Sequence, residues 1–460
     1  MILLRHATAT AAAATPEGRD RVIDLIRALG ILGVVAGHFF MGMVDWSTGV
    51  PVLGNTLASE RWLQAATWIF QVMPLFFIAG GVSNYFSWSS SRNKNLGFAT
   101  WMWHRVERLL TPVVIYLAVM VPIGASISLL VDSDIATPLL NLTTQLLWFL
   151  GIYIIVIALT PVTARIHSRL GRWSLVPWLA VVAVVDVVRL YEILPAAVGL
   201  LNFVSVWAMT ATLGLWWIQG ERSLAFVMLP VSVVINGLLV RFGPYPVSLV
   251  GMPNESFSNM APPSLVMALH AISLWSFITL LKKPLGQLLK KPAIWRFTVS
   301  SNLAAMTIYL WHLPALTIIT VTAHALGIDR PVSVRGDGVL IPGDGFWLAS
   351  PLYWISTLAL VYLLVQMLWS TEHATFSLWH VSKDWRTNST LADTISACGV
   401  VGLGISMLLI SGSGLAGFPS REVEFAGLTW TPGFAIAMFA LSAFVVRMAL
   451  FVGNTSHSQQ

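Results

Sequence analysis

The stretch Arg21-Val-Ile-Asp-Leu-Ile-Arg27-Ala-Leu-Gly-Ile-Leu-Gly-Val-Val-Ala-Gly-His38 decides how this chain is to be read. It is long and apolar enough to cross a bilayer as a helix, yet it carries Arg27 and His38, eleven residues apart. At ~100° per residue that spacing comes to ~1100°, so the two side chains leave nearly the same helix face. They are separated by about 16 Å along the axis. Ionisable groups at such depth are costly and point to function by default. Asp24 stands one turn before Arg27, at the spacing of an i,i+3 ion pair. The ordinary alternatives are an interfacial anchor for Asp24–Arg27 and a histidine hydrogen-bonded between packed helices for His38.

Composition agrees with a membrane chain. Of 460 residues, 56% are apolar and only 10% charged, with a mean hydropathy of +0.77, whereas soluble domains carry about a quarter charged residues. Apolar segments near 22–44, 65–86, 109–131, 144–164, 174–190, 197–218, 223–241, 263–281, 300–324, 351–369, 394–412 and 432–451 predict an all-α polytopic transmembrane helical bundle of about twelve spans. Lysine and arginine test that count, because cytoplasmic loops are enriched in them. With the N-terminus inside, nineteen basic residues fall in cytoplasmic segments and six outside, with Arg27 inside the first span. Both termini are therefore expected in the cytoplasm, with residues 1–20 as a disordered tail. The net charge of +6 is explained by these loops and calls for no nucleic-acid partner. One cysteine, Cys398, provides neither a disulfide framework nor a cysteine metal site. The connections 242–262 and 325–350 are long and fall on the outer side, where long loops are often functional. No internal repeat, phosphate-binding loop, His-Glu-x-x-His or Gly-x-Ser-x-Gly motif is present.

Three further stretches carry candidate chemistry. Arg105 and Arg108, in Trp103-His-Arg105-Val-Glu-Arg108, share one helix face at a cytoplasmic entrance, and arginine forks suit phosphate oxygens. A basic pair there is more often only a topology signal. Met73-Pro74-Leu-Phe-Phe-Ile-Ala79-Gly80-Gly81 offers small residues for close helix approach. Tyr309-Leu-Trp311-His312-Leu-Pro314 places a second histidine and two aromatics with polar handles in a helix that proline loosens; interfacial aromatics beside a satisfied histidine are the bland alternative. His270, Asp186, Asn202 and Asn236 are further intramembrane polar groups.

Together these elements resemble the membrane acyltransferase family three, integral-membrane O-acyltransferases of bacteria and some eukaryotes. An Arg-x10-His first helix fits Arg27 and His38, and an Arg-x-x-Arg pair entering the third fits Arg105 and Arg108. A Pro-x-Phe-Phe segment fits Pro74 to Gly80, with Ala79 where serine is commoner, and a late Tyr-Leu-Trp-His fits Tyr309 to His312. The resemblance spans about residues 20–370. It implies a ten-helix acyltransferase core over 21–370, with 371–460 adding a cytoplasmic loop and two helices.

What the resemblance implies is a bacterial plasma-membrane enzyme that takes an acyl group, acetyl or short-chain, from cytoplasmic acyl-CoA. The group goes to a hydroxyl of a lipid-linked or extracytoplasmic glycan, a glycolipid or a similar cell-envelope acceptor. Acyl-CoA is a co-substrate, and neither cofactor nor metal is called for. In that scheme His38 is the general base or is itself acylated, Arg27 assists it, and Arg105 and Arg108 hold the donor. Asp24, Tyr309, Trp311 and His312 support the site. The competing reading is a proton-coupled transporter or exporter, with His38, Arg27 and Asp186 as relay groups. A scaffold without catalysis is the third.

Overall fold

The computed structural model describes residues 2–252, 257–373, 387–425 and 428–452. In chain order its elements are α1 (Ile2–Ala13), α2 (Arg21–Met41), β1 (Gly42–Asp45), β2 (Val52–Asn55), α3 (Arg61–Phe70), α4 (Met73–Asn93), α5 (Phe98–Leu130), α6 (Ser133–Thr144), α7 (Leu147–Ala158), α8 (Thr160–Leu170) and α9 (Val176–Leu190). They continue with α10 (Leu201–Gln219), α11 (Arg222–Phe242), α12 (Leu265–Leu288), α13 (Pro292–Leu303), α14 (Ala305–Ala325), β3 (Val332–Val334), β4 (Leu340–Pro342), α15 (Phe346–Glu372), α16 (Thr390–Ser413), β5 (Val423–Phe425), β6 (Leu428–Trp430) and α17 (Pro432–Met448). The strands form three short antiparallel hairpins. The protein is an all-α polytopic bundle, as its hydropathy predicts.

Each of the twelve predicted segments falls on helix. Ten helices among the described residues are long and apolar enough to cross a membrane. The remaining two expected spans differ from the expectation. The segment at 174–190 is α9, which meets α8 at a bend of 97° and is not by itself long enough to count among the ten. The last, α17, has 17 residues, or ~26 Å, short of a hydrocarbon core of about 30 Å. Lys383 and Arg386 of the cytoplasmic set lie outside the described residues.

The chain folds into two compact units, Met1–Val82 with Thr163–Trp369, and Ser83–Val162 with Ser370–Gln460. In the first unit, helices alternate direction between two ends. At one end the Asp20 carboxylate accepts from Trp217 Nε1 and pairs with Lys282, both at 2.8 Å. Arg21 donates to the Leu289 carbonyl and lies over Trp295. The start of α2, the ends of α10 and α12, and α13 therefore meet at a basic end. At the other end Arg189 of α9 reaches the carbonyls of Ser258 and Pro263, and Trp68 of α3 reaches that of Val247. Since Ser174, just before α9, bonds Trp216 near the basic end, α9 runs the height of this unit despite its short length.

Small residues let these helices touch. A Cβ on Gly81 would strike the Ala211 backbone, and one on Gly214 the Ile78 carbonyl, so α4 and α10 approach backbone to backbone there. In lipid such contacts, rather than hydrophobic burial, hold helices together. Phe77 stacks on Trp207 at 4.5 Å, both fully buried. The outward faces of α11 and α15, with Phe226, Val234, Leu352 and Leu363 exposed, are apolar, which suits a hydrocarbon surround.

Residues 2–13, expected as a disordered tail, instead form α1. An alanine-rich run has the best helix propensity, and Leu4 is buried with Val361, Val365 and Trp369. In the second unit α16, which follows the expected 21–370 core, is packed on both sides. It packs between α7 and α17, with Gly404 against the Gly151 backbone and Gly399 against Val446. Asp393 at its start accepts from the Ala99 amide at 2.8 Å, tying α16 to the beginning of α5.

Candidate active site

Helix α2 is fixed at its beginning and at its end. The Asp20 side chain accepts from Val22 N as an N-cap, and the Gly42 amide closes the last turn on the His38 carbonyl. Between these, Gly30 and Gly33 leave room for Phe76 and Val72, so the Pro74 motif of α4 seats α2 rather than supplying chemistry. The helix is unbroken from Arg21 to Met41; Arg27 and His38 stay on nearly one face, as the spacing predicts.

The pairing of Asp24 is richer than the sequence suggests. Arg27 stands 3.8 Å from its carboxylate, but Arg19 holds it in a two-pronged grip at 2.6 and 2.9 Å. That hydrogen bond raises the Arg19 guanidinium above its ordinary pKa. A cavity of about 180 Å³ opens beside Arg19 and Asp24, lined also by Thr15, Trp295 and Asn302. It lies at the basic end, within one turn of Arg27.

The decisive contact is between histidines far apart in sequence. His312 Nε2 lies 3.2 Å from His38 Nδ1, and the two ring centroids are 5.2 Å apart. On its other side, His312 Nδ1 faces the carbonyls of Ile308 and Tyr309 at 3.0 and 2.9 Å. Carbonyl oxygens only accept, so His312 Nδ1 carries a proton and, in the neutral ring, Nε2 presents a lone pair. That lone pair requires a proton on His38 Nδ1. These tautomers are assigned from the network. The remaining atom, His38 Nε2, has a lone pair and no protein partner among the described residues. His312 is fully buried and His38 only half-buried, so the inner imidazole is a fixture and the outer one is accessible.

Tyr309 and Trp311 flank His312 on α14, both buried, and the Tyr309 ring lies 6.3 Å from that of His312. Arg105 and Arg108 stand on α5 in the second unit. Arg105 donates to the Ser83 carbonyl at 2.7 Å, and Arg108 is exposed. The other polar candidates are engaged elsewhere. His270 Nε2 contacts the Gln71 carbonyl at 3.2 Å, and with Asn236 and Ser273 it lines an apolar cavity of about 420 Å³ between α11 and α12. Asp186 and Asn202 are joined at 2.9 Å in a buried cluster.

Sequence reasoning singled out both His38 and His312 but not their contact, and it missed Arg19 and Arg330. Arg330, in the loop before β3, donates to the Gly42 carbonyl at 2.7 Å. The only forewarning was its place in a long Gly/Pro/Asp-rich loop.

The model of an acyltransferase domain matches residues 20–369, a range that holds α2, α14 and the Arg105/Arg108 pair and ends before α16. No curated protein and no solved structure matches the chain. The match gives a transporter no support. By this match over most of its length, and with its bundle of apolar helices, the chain belongs to the acyltransferase family 3 and is a multi-pass membrane acyltransferase.

Proposed function

We propose that the protein transfers an acetyl or other short acyl group from cytoplasmic acyl-CoA to a hydroxyl of a carbohydrate, glycolipid or similar cell-envelope acceptor, with His38 as general base. The observation that carries this is the His312–His38 contact at 3.2 Å, which leaves a lone pair on His38 Nε2. In the reaction, Nε2 takes the proton of the acceptor hydroxyl as its oxygen attacks the thioester carbonyl. The tetrahedral oxyanion collapses, the C–S bond breaks, and the imidazolium of His38 returns its proton to the departing CoA thiolate. The imidazolium formed on His38 is stabilised through Nδ1–H by the lone pair of His312, the part that a carboxylate plays in a Ser-His-Asp triad. Arg27 is suited to positioning the donor and to stabilising the oxyanion.

The donor side follows from charge. By the positive-inside tendency the basic end of the first unit faces the cytoplasm, the side to which both termini are assigned. The cavity at Arg19 and Asp24 gives an entrance about 21 Å along α2 from His38, a span suited to an extended thioester arm. Arg105 and Arg108 are assigned to the CoA phosphates. We assign the protein to a bacterial plasma membrane.

The test uses the full chain in lipid nanodiscs, supplied with radiolabelled acetyl-CoA and extracted cell-envelope lipids. Labelled product and CoA release are expected from the wild type and lost in His38→Ala. If the wild type neither releases CoA nor labels any product, the proposal fails.

A further inference from the structure

At the end of the first unit opposite Asp20 stand two buried arginines, and they are treated differently. Arg189 has its side chain 11% exposed and is paired with Asp186 at 3.1 Å. Arg330 is 8% exposed and has no carboxylate within ion-pair distance among the described residues. Its guanidinium makes two hydrogen bonds, Nη2 to the Gly42 carbonyl at 2.7 Å and Nη1 to Ser350 Oγ at 3.5 Å. It is sandwiched by the rings of Phe346 and Tyr353, at 4.7 and 4.8 Å from their centroids. Of five N–H donors, three have no protein acceptor among the described residues.

A desolvated cation without a counter-charge is costly. One bland account is that Arg330 merely caps α2, whose C-terminus carries about half a negative charge. That offsets part of a full positive charge and engages one donor. What remains is an arginine fork, the group best matched to carboxylate or phosphate oxygens.

Its position gives the fork a use. The Gly42 carbonyl that it holds lies four residues past His38, ~6 Å along α2. Around that last turn, Phe40 packs on Trp354 at 4.7 Å, Trp354 Nε1 donates to the Phe39 carbonyl, and Trp347 joins Phe346 and Trp62. Interfacial tryptophans are common in membrane proteins, so the rings alone say little. Rings surrounding an unneutralised buried cation that holds the backbone one turn past His38 say more.

We propose that Arg330 and the rings about the end of α2 form the acceptor subsite, and that the acceptor carries an anionic group, a phosphate ester or a carboxylate, beside the hydroxyl that is acylated. The assignment of an acceptor side rests on the acyl-transfer reading above; the binding of an anion there does not. Spacing along α2 puts the anionic group on the order of one helical turn from the reacting oxygen.

The test is binding to the full chain in phosphatidylcholine nanodiscs, with dodecyl phosphate, dodecanoate and dodecanol as probes. In the wild type either anion is expected to bind about tenfold tighter than the alcohol, a factor suited to a charge-assisted fork. Arg330→Gln is expected to erase that preference and leave dodecanol binding unchanged. A preference for phosphate over dodecanoate supports a phosphate-linked acceptor, and the reverse supports an acidic sugar. Should the variant not fold, displacement of dodecyl phosphate by inorganic phosphate from the wild type, without displacement of dodecanol, decides in favour. Equal affinity for the three probes, or an anion preference that survives in Arg330→Gln, overturns the subsite. Anion binding without any CoA release would instead spare the subsite and sink the transferase reading.

Discussion

Two buried polar clusters in the first unit show the difference between a polar group used up by the fold and one left available. In the Asp186 cluster, one carboxylate oxygen accepts from Arg189 Nη1 and Asn202 Nδ2, and the other from Tyr245 OH and the Leu265 amide at 2.7 Å. Four donors exhaust the carboxylate, and the cluster fastens α9, α10 and the loop before α12 to one another. The histidine pair, with His312 buried and His38 half-buried, is also hydrogen-bonded, yet its chain of donors and acceptors ends on an open nitrogen. A complete network is a fastening; one with a single unfilled position at an accessible ring is a candidate for chemistry.

That contrast can be broken by substitution. His38→Ala is expected to lower acyl transfer by about 10³-fold, within the range for loss of a general base, while the unfolding midpoint in detergent stays near that of the wild type. Asp186→Ala should do the opposite. It leaves Arg189 buried without its partner, which costs about 3–5 kcal/mol and lowers the midpoint sharply, whereas molecules that remain folded keep their kcat. An Asp186→Ala protein as stable as the wild type would show that the cluster is no fastening. His312→Ala sharpens the other side. Loss of the acceptor that orients His38 is expected to reduce kcat by on the order of 10²-fold with little change in KM; an equal loss in His312→Gln, which retains an acceptor, would argue that packing rather than orientation matters. The smallest effect is expected for Arg335→Ala. That residue, five positions from Arg330, forms an exposed pair with Asp337 at 2.7 Å, and such pairs contribute little. Neither stability nor turnover should change measurably.

Much of the fold was legible because membrane helices announce themselves by length and apolarity. Where the sequence misled, a local feature explains it. The bend between α8 and α9 and the short α17 give segments that are apolar enough without being long enough. The α1 run, Ile2-Leu-Leu-Arg-His-Ala-Thr-Ala-Thr-Ala-Ala-Ala13, held a visible helix signal in its alanines, but its burial depends on Trp369, more than 350 residues away. The glycines of Gly399-Val-Val-Gly402-Leu-Gly404 foreshadow the close packing of α16, though not its partner.

The site was half legible. Helical spacing suffices to place Arg27 and His38 on one face, and the Tyr-Leu-Trp-His stretch drew notice to His312. The contact between the two joins residues 274 apart, and no periodicity encodes that. Asp24 was expected to pair with Arg27 by i,i+3 geometry; Arg19 takes it more closely because the chain turns before α2, outside any helical register. Arg330 and Tyr245 lie in loops, whose paths are set by tertiary contacts rather than by local pattern.

One consequence follows from the way α2 is held. Asp20 is gripped by Trp217 and Lys282 at its start, and Gly42 by Arg330 at its finish. A helix riveted at both ends is a dipstick of fixed graduation: the depth of His38 is set by protein, not by the lipids alongside. Thicker or thinner bilayers must then be met by tilting the whole unit or by deforming the lipid. Turnover should therefore be insensitive to acyl-chain length in the host membrane.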